Sequence, residues 1–434
     1  VEGSEESLNS QVKAFVGGRL IDGTGAAPRE DAVVVLDGER ITAVGLVGAT
    51  AIPAEAAVID VTGKTIMPGL IDAHMHFLGI RSMSQVTWLV DEPQVRGMRA
   101  VMDAWRVVEA GFTTVRDPAG MLAIHLRQAI QEGSIVGPRI LAAGLAISQT
   151  GGHADWHFIP QEWNARVMLG RMADGVAEVR KAAREQLRAG ADFLKIMTTG
   201  GVMSEKDQPT ACQFSLDEIR AFVEEARNAG VRTASHAQGT QGIKNALIAG
   251  VDSIEHGIYL DDECITMMVD QGAYLVPTLA IVEAIVNNGR QEGVLEASVK
   301  KAEMVQKTHL DSFRRAYRAG VVCGLGTDYL GDPGSPLGEN AVELQMYVER
   351  AGLSPMEAIV CATRNNARVL GLEQELGTLQ EGKLADLLLV DGDPLEEITL
   401  LRDRACIVTV LKGGRPVPRL STRGATELET AAWV

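Results

Sequence analysis

The sequence predicts an α/β protein, a (β/α)8 TIM barrel carrying a small β-sandwich domain built from both chain termini. Three observations predict it. Both ends of the chain alternate apolar and polar residues with period two. The middle switches to short β-rich runs separated by amphipathic helical stretches. Several of those helices close on Ala-Gly immediately before the next run, with Gly as the C-terminal cap.

Taken in order, "VKAFVGGRLIDG", "DAVVVLDGERITAVG" and "AVIDVTGKTIMPG" are strands between Gly-rich turns. Near the other end, "GKLADLLLVDGDP" and "IVTVLKGGRPV" follow the same pattern. Residues 1–67 and 376–434 therefore form the sandwich, and 68–375 form the barrel. The eight barrel runs are "PGLIDAHMH", "FTTVRD", "RILAAGL", "ADFLKIM", "VRTASHA", "VDSIEH", "AYLVPTL" and "VVCGLGTD". Helices such as "VAEVRKAAREQLRAG" and "LDEIRAFVEEARNAG" lie between them. Strand–helix–strand crossovers are right-handed, and a closed parallel barrel is their most economical arrangement. An open doubly wound sheet is the alternative. It is weakened because no GxGxxG or GxxxxGK[ST] follows the first strand. The segment after Pro418, "RLSTRGATELETAAWV", is polar, and is expected to be loosely ordered or to serve contacts between subunits.

Of the 434 residues, 46% are hydrophobic, enough for a large core. Lys plus Arg number 41 and Asp plus Glu 57, a formal charge of −16. That excess repels phosphate backbones and anionic lipid, so neither nucleic acid nor a membrane surface is expected as a partner. The five cysteines form no CxxC pair and are expected to be reduced, mostly buried, small apolar residues. No apolar run reaches the roughly 20 residues a bilayer span needs. The opening "VEGSEESLNS" has neither Met nor a signal pattern. The expected location is cytoplasmic, or periplasmic or secreted if an export signal has been removed.

Chemistry enters at "MPGLIDAHMHFLG", with His74 and His76 one residue apart. Alone, the pair is an accident, a surface pair or half of a metal site. Barrel enzymes keep their chemistry at the C-terminal strand ends. Residues i and i+2 of a strand point to the same side, so both rings can face one ion. His236 ends the fifth run, His256 the sixth and Asp328 the eighth. Lys195 lies inside the fourth, where a lone ammonium is costly to bury. Five strands thus bring ligand-type side chains to one face, and a metal site is the joint reading. His125 and His309 sit in helical patterns and are expected to be structural.

These positions resemble the amidohydrolase superfamily over nearly the whole chain. Its HxH matches His74 and His76, and its later ligands match Lys195, His236, His256 and Asp328. A lysine on the fourth strand marks the binuclear subtype, in which carbon dioxide converts it to a carbamate that bridges two divalent ions. The resemblance implies one ion held by His74, His76, Lys195 and Asp328, and a second by Lys195, His236 and His256. Such donors suit zinc first, with manganese, iron or cobalt as alternatives.

The motifs "FTTVRD", "SQTGGHAD", "TTGGVMS", "QFSLDEIRAFVEEA", "SIEHG", "DDE" and "GTD" are similar to one branch of that superfamily. It holds Xaa-Pro dipeptidases, carboxypeptidases releasing Arg or Lys, and amidohydrolases that cleave the phenylalanine amide of ochratoxin. The resemblance implies hydrolysis of a dipeptide or N-acyl amino acid. A metal-bridged hydroxide attacks the carbonyl, and Asp328 serves as general base and acid. It implies a substrate contact at His153, with His157 the weaker candidate. Gln238 stands where the proline-specific members carry tyrosine, which argues against Xaa-Pro specificity. Gly200 and Gly201 either offer backbone N–H groups to a substrate oxygen or simply shape a turn. "VMSEKDQP" is expected to be a mobile pocket loop. Branch members are commonly homo-oligomers. An imidazolonepropionase-like or other cyclic amide hydrolase is the competing enzyme, and Lys195 argues against it. A non-catalytic scaffold is the other class, but scaffolds lose ligands and this chain keeps every one.

Overall fold

The computed structural model of the chain describes residues 5–164 and 169–420. The polar tail from residue 421 onward falls outside them. The first five strands are β1 (Val12–Leu20), β2 (Arg29–Asp37), β3 (Arg40–Leu46), β4 (Ala57–Asp60) and β5 (Lys64–Pro68). The middle carries β6 (Leu70–Asp72), β7 (Phe112–Asp117), β8 (Arg139–Ala142), β9 (Ala146–Ser148), β10 (Gly170–Met172), β11 (Phe193–Met197), β12 (Arg232–Ala237), β13 (Ser253–His256) and β14 (Tyr274–Val276). β15 (Leu387–Asp391), β16 (Ile407–Lys412) and β17 (Arg415–Pro416) follow.

Both chain ends meet in one eight-stranded sheet, ordered β17-β16-β15-β5-β1-β2-β3 with β4 beside β1. The seam is the antiparallel pair β5–β15, from Pro68 opposite Leu387 to Lys64 opposite Asp391. The unbroken apolar run of β15 follows from burial on both faces. Leu387 and Leu389 pack into a cluster with Phe15, Val34 and Ile66. Leu388 and Val390 point the other way, into the main core with Phe112 and Ile407.

The middle strands form two parallel sheets, β6-β7-β8 and β10-β9-β11-β12-β13-β14. Backbone bonds tie them together on both sides. Asp192 N–H donates to Ala142 O (2.8 Å) beside β8, and Ala73 N–H donates to Leu325 O (2.8 Å) beyond β6. Helices fill the crossovers as the periodicity requires. Leu216–Ala229 starts with a capping box, Ser215 and Glu218 each bonding the other's backbone N–H. It ends on Gly230 at φ 69°, a left-handed conformation that glycine adopts without a Cβ clash.

Two expected strands differ. "PGLIDAHMH" is a strand only to Asp72. There the Asp72 carboxylate accepts the His74 N–H (2.9 Å), the Thr327 hydroxyl (2.7 Å) and the Asn340 amide (2.8 Å). "VVCGLGTD" forms only an isolated bridge, Leu275 to Cys323. A side chain stands in for part of its ladder. Asn366 accepts Leu325 N–H (2.9 Å) and donates to Ile71 O (2.6 Å) and Leu325 O (2.8 Å). The cysteines are free; Cys264, Cys323 and Cys361 are buried, Cys406 is half-buried and Cys212 is exposed. Among the described residues no helix is long and apolar enough to cross a membrane.

Candidate metal centre

Past the end of β6 the chain carries His74 and His76 into a cavity at the C-terminal ends of the parallel strands. Their Nε2 atoms lie 3.5 and 3.1 Å from Asp328 Oδ1. These three side chains form a group whose donor atoms all lie within 4.8 Å of one another. The spacing depends on strand ends meeting: Asp328 N–H donates to His74 O (2.6 Å) and His76 N–H to Tyr329 O (2.9 Å). Asp328 sits at φ 58° and His256 at φ 71°, left-handed conformations that are uncommon for side-chain-bearing residues. Such strain persists only where surrounding structure over-determines it.

Each ring is oriented from behind. His74 Nδ1–H donates to Glu255 Oε2 (2.7 Å), and His76 Nδ1–H to Asp117 Oδ1 (3.1 Å) and Ala119 O (3.2 Å). His256 Nδ1 meets the Thr278 hydroxyl (2.7 Å), and His236 Nε2–H donates to Gly200 O (3.1 Å). The opposite ring nitrogens of His74 and His76 face Asp328, and those of His236 and His256 have no hydrogen-bond partner among the described residues; outer-shell bonds of this kind are what metal-ligating histidines share. The His236 and His256 centroids are 4.6 Å apart, and those of His74 and His256 5.1 Å.

Lys195 lines the same cavity at 2% exposure. Among the described residues its amine has neither a hydrogen bond nor an ion pair. Burial lowers its pKa to about 8, with Arg116 adding and Glu255 and Asp328 opposing. An ammonium on a buried residue without a hydrogen bond is costly, and a ligand derived from Lys195 removes that cost. Burial also depresses His74, to about 4. For His76 burial acts the same way, but the Asp117 and Asp328 hydrogen bonds outweigh it and raise the group to about 10. Burial raises Asp328, yet the charges of His74, His76 and Lys195 bring it down to about 2, so it is a carboxylate at neutral pH.

Several of these supports were not anticipated from the sequence. Arg116 and Asp117 both come from "FTTVRD". Arg116 is 3% exposed and bridges Glu255 Oε1 (2.6 Å) and Ala73 O (2.6 Å). Arg116→Met leaves the Glu255 carboxylate buried without its cation. It is expected to destabilise the metal-free protein by about 3–5 kcal/mol in urea unfolding; a loss under about 1 kcal/mol contradicts that assignment.

The cavity has an empty volume of about 1020 Å³, counting its open mouth. Its wall is mostly apolar, with Trp88, Trp156, Val202, Ile258, Ile281 and Leu330 prominent. Trp88 and Trp156 pack ring against ring at 5.4 Å. His153 and Gln238 line it as well, and the His153 ring stacks on His236 at 4.1 Å. Gly201 serves that stack. A Cβ there would lie 2.2 Å from the His153 ring, and the Gly201 N–H turns instead to Asp207 Oδ1 (3.4 Å). Gly200 N–H donates to Ala211 O (2.9 Å). The expected mobile loop is fastened: Lys301 Nζ donates to the carbonyls of Gly201 (3.2 Å), Ser204 (2.7 Å) and Asp207 (2.6 Å). His157 stands outside the cavity lining, where its Nδ1 accepts Lys206 N–H (3.1 Å). His125 is exposed on a helix. His309 is buried and bonds His256 O (3.0 Å), supporting the backbone of a candidate ligand.

The chain resembles known proteins over nearly its whole length. Ochratoxinase from Aspergillus niger is 36% identical over 431 residues, covering 94% of this chain and 86% of its own. The solved structure of A. niger ochratoxinase superposes with a TM-score of 0.86 at 34% identity, over 94% of this chain and 95% of that one. A prolidase complexed with N-methylphosphonate-L-proline gives 0.88 at 35% identity, over 94% and 100%. A Xaa-Pro dipeptidase with methionine bound in its active site gives 0.83 at 35% identity, over 93% and 99%. The profile described as "Amidohydrolase family" matches residues 65–417, so the chain belongs to that family and is a hydrolase of amide bonds.

Proposed function

We propose that the chain is a binuclear metallo-amidase that releases the C-terminal residue from N-acyl amino acids and dipeptides, ochratoxin-type phenylalanine amides included. The observation that carries it is a partnerless buried Lys195 in the same apolar cavity as His74, His76 and Asp328. Two divalent ions, zinc for preference, fit the donors. His74, His76, Asp328 and a carbamylated Lys195 would hold one; Lys195, His236 and His256 would hold the other. Carbamylation joins carbon dioxide to the neutral amine with loss of a proton, and turns a poorly placed cation into an oxygen ligand. The two parallel sheets read as arcs of one (β/α)8 barrel spanning 68–375. The sheet of both termini reads as the sandwich domain of 1–67 and 376–434.

Bound ions supply an acidified water and polarise the scissile carbonyl. The rest falls to the chain. Asp328, ionised and at the centre, takes the water proton and passes it to the leaving nitrogen. The apolar wall excludes bulk water, and His153 and Gln238 meet the polar parts of the substrate. Among the described lining residues Asp328 is the only acid. A released Lys or Arg side chain finds no spare counter-charge there, and an aromatic one finds Trp88 and Trp156. The partner is thus a small molecule, and the protein is read as a homo-oligomer without nucleic-acid or membrane partners.

Metal analysis of the isolated protein is expected to find about two divalent ions per chain. Chelation should abolish hydrolysis of N-benzoyl-L-phenylalanine, and zinc should restore it. A fully active protein holding one ion or none overturns the binuclear reading.

A further inference from the structure

Away from the metal cavity, the helix Pro93–Glu109 presents an apolar stripe to solvent. Val95, Met98, Met102 and Trp105 recur at helical spacing and share one face. The core takes the opposite face, through Ala100, Ala104 and Val107. Val95, Met98 and Met102 are exposed, Met98 to 72%, and Trp105 is half-buried. One exposed apolar side chain is ordinary, but a row of them along a helix marks a surface made to be covered.

The last described residues run onto the C-terminal end of this same helix. Trp105 Nε1–H donates to Pro418 O (2.8 Å), and Leu420 N–H donates to Glu109 Oε1 (3.2 Å). Arg419 fixes that exit by donating to Val408 O (3.2 Å) on β16. Residues 421–434 therefore set out from the end of the stripe. Extended, they reach about 46 Å, whereas Val95 to Trp105 spans about 15 Å of helix. Though polar overall, the segment carries "LETAAWV", in which Leu428, Trp433 and Val434 are bulky and apolar. The tether holds them near the stripe at an effective concentration that a separate partner lacks.

We propose that residues 421–434 fold back along Pro93–Glu109 of their own chain and cover Met98 and Met102 with Leu428 and Trp433. The segment then seals the outer face of a helix whose inner face belongs to the main core. It ties the terminal sheet, from which it departs at β17, to the catalytic body.

Met304 provides an internal standard, because it is 71% exposed, on the separate helix Glu296–Arg318. Full-length protein is treated briefly with hydrogen peroxide and its peptides are weighed by mass spectrometry. Met98 is expected to form sulfoxide at least about fivefold more slowly than Met304, since exposure governs methionine oxidation. Removing residues 421–434 should bring the two rates together. Trp433→Asp in the full chain should shift Met98 the same way without shortening the protein. Equal rates in the full-length protein overturn the proposal. So does a slow Met98 that neither change releases, the result expected if another surface of a second copy covers the stripe. A benzophenone amino acid in place of Met102 should cross-link to 421–434 within one chain. A product of doubled mass on a denaturing gel would place the segment on a neighbouring copy and overturn the intrachain arrangement.

Discussion

Asp328→Asn is expected to lower kcat/KM for N-benzoyl-L-phenylalanine by at least about a thousandfold, within the range general acid–base groups contribute. Asparagine keeps the size of the side chain but cannot take a proton from water. The main-chain bond from Asp328 N–H to His74 O does not depend on the side chain, so the local fold should persist. Metal content separates the two roles of the residue. Lost turnover with both ions retained makes Asp328 chiefly a proton carrier; lost turnover with an ion missing makes it chiefly a ligand. A variant within tenfold of wild type would show that neither role is essential.

Lys195→Met should have two effects of opposite sense. Bound metal should drop below two ions per chain, and activity should fall at least about a hundredfold, because the proposed bridging oxygen donor would be lost. In the metal-free protein, however, methionine replaces an ammonium that has no partner, so the urea midpoint should not fall and could rise. Short carboxylates such as propionate should recover part of the activity by occupying the space of the carbamate. Near-normal activity in the variant without additives would exclude Lys195 as a ligand.

The main candidate residues were legible because they interrupt apolar runs at regular places. His236 and His256 stand at the ends of strands that are buried apart from Arg232, and Lys195 sits inside "DFLKIM", where nothing but function or a hidden partner explains it. The residues that orient them were not assigned. Arg116 and Glu255 are 139 positions apart and meet only once their strands are folded. Their signal was nonetheless visible, as charged residues inside buried runs that require partners. Thr278 was hidden more deeply, since a threonine next to a proline turn has many uses. The pairing of Trp88 with Trp156 could not be inferred, because one lies on the short helix Gln85–Val90 and the other in an irregular segment, and their approach is set by tertiary packing. The eighth strand was over-read. "VVCGLGTD" has the composition of a strand, but Asn366 from a distant helix takes over ladder bonds that composition assigns to a neighbour.

The seam between β5 and β15 sets an order of events on the ribosome. Residues 69–386 must be translated after β5 and before its antiparallel partner exists. At about 5–20 residues per second that delay is on the order of tens of seconds. Throughout it, one edge of a strand that is buried on both sides in the native sheet stays open to any other extended segment. The catalytic body can collapse meanwhile, but the terminal sheet cannot be sealed until β15 emerges. Premature termination upstream of β15 therefore leaves a sticky edge rather than a smaller enzyme, and chaperone demand should concentrate in that interval.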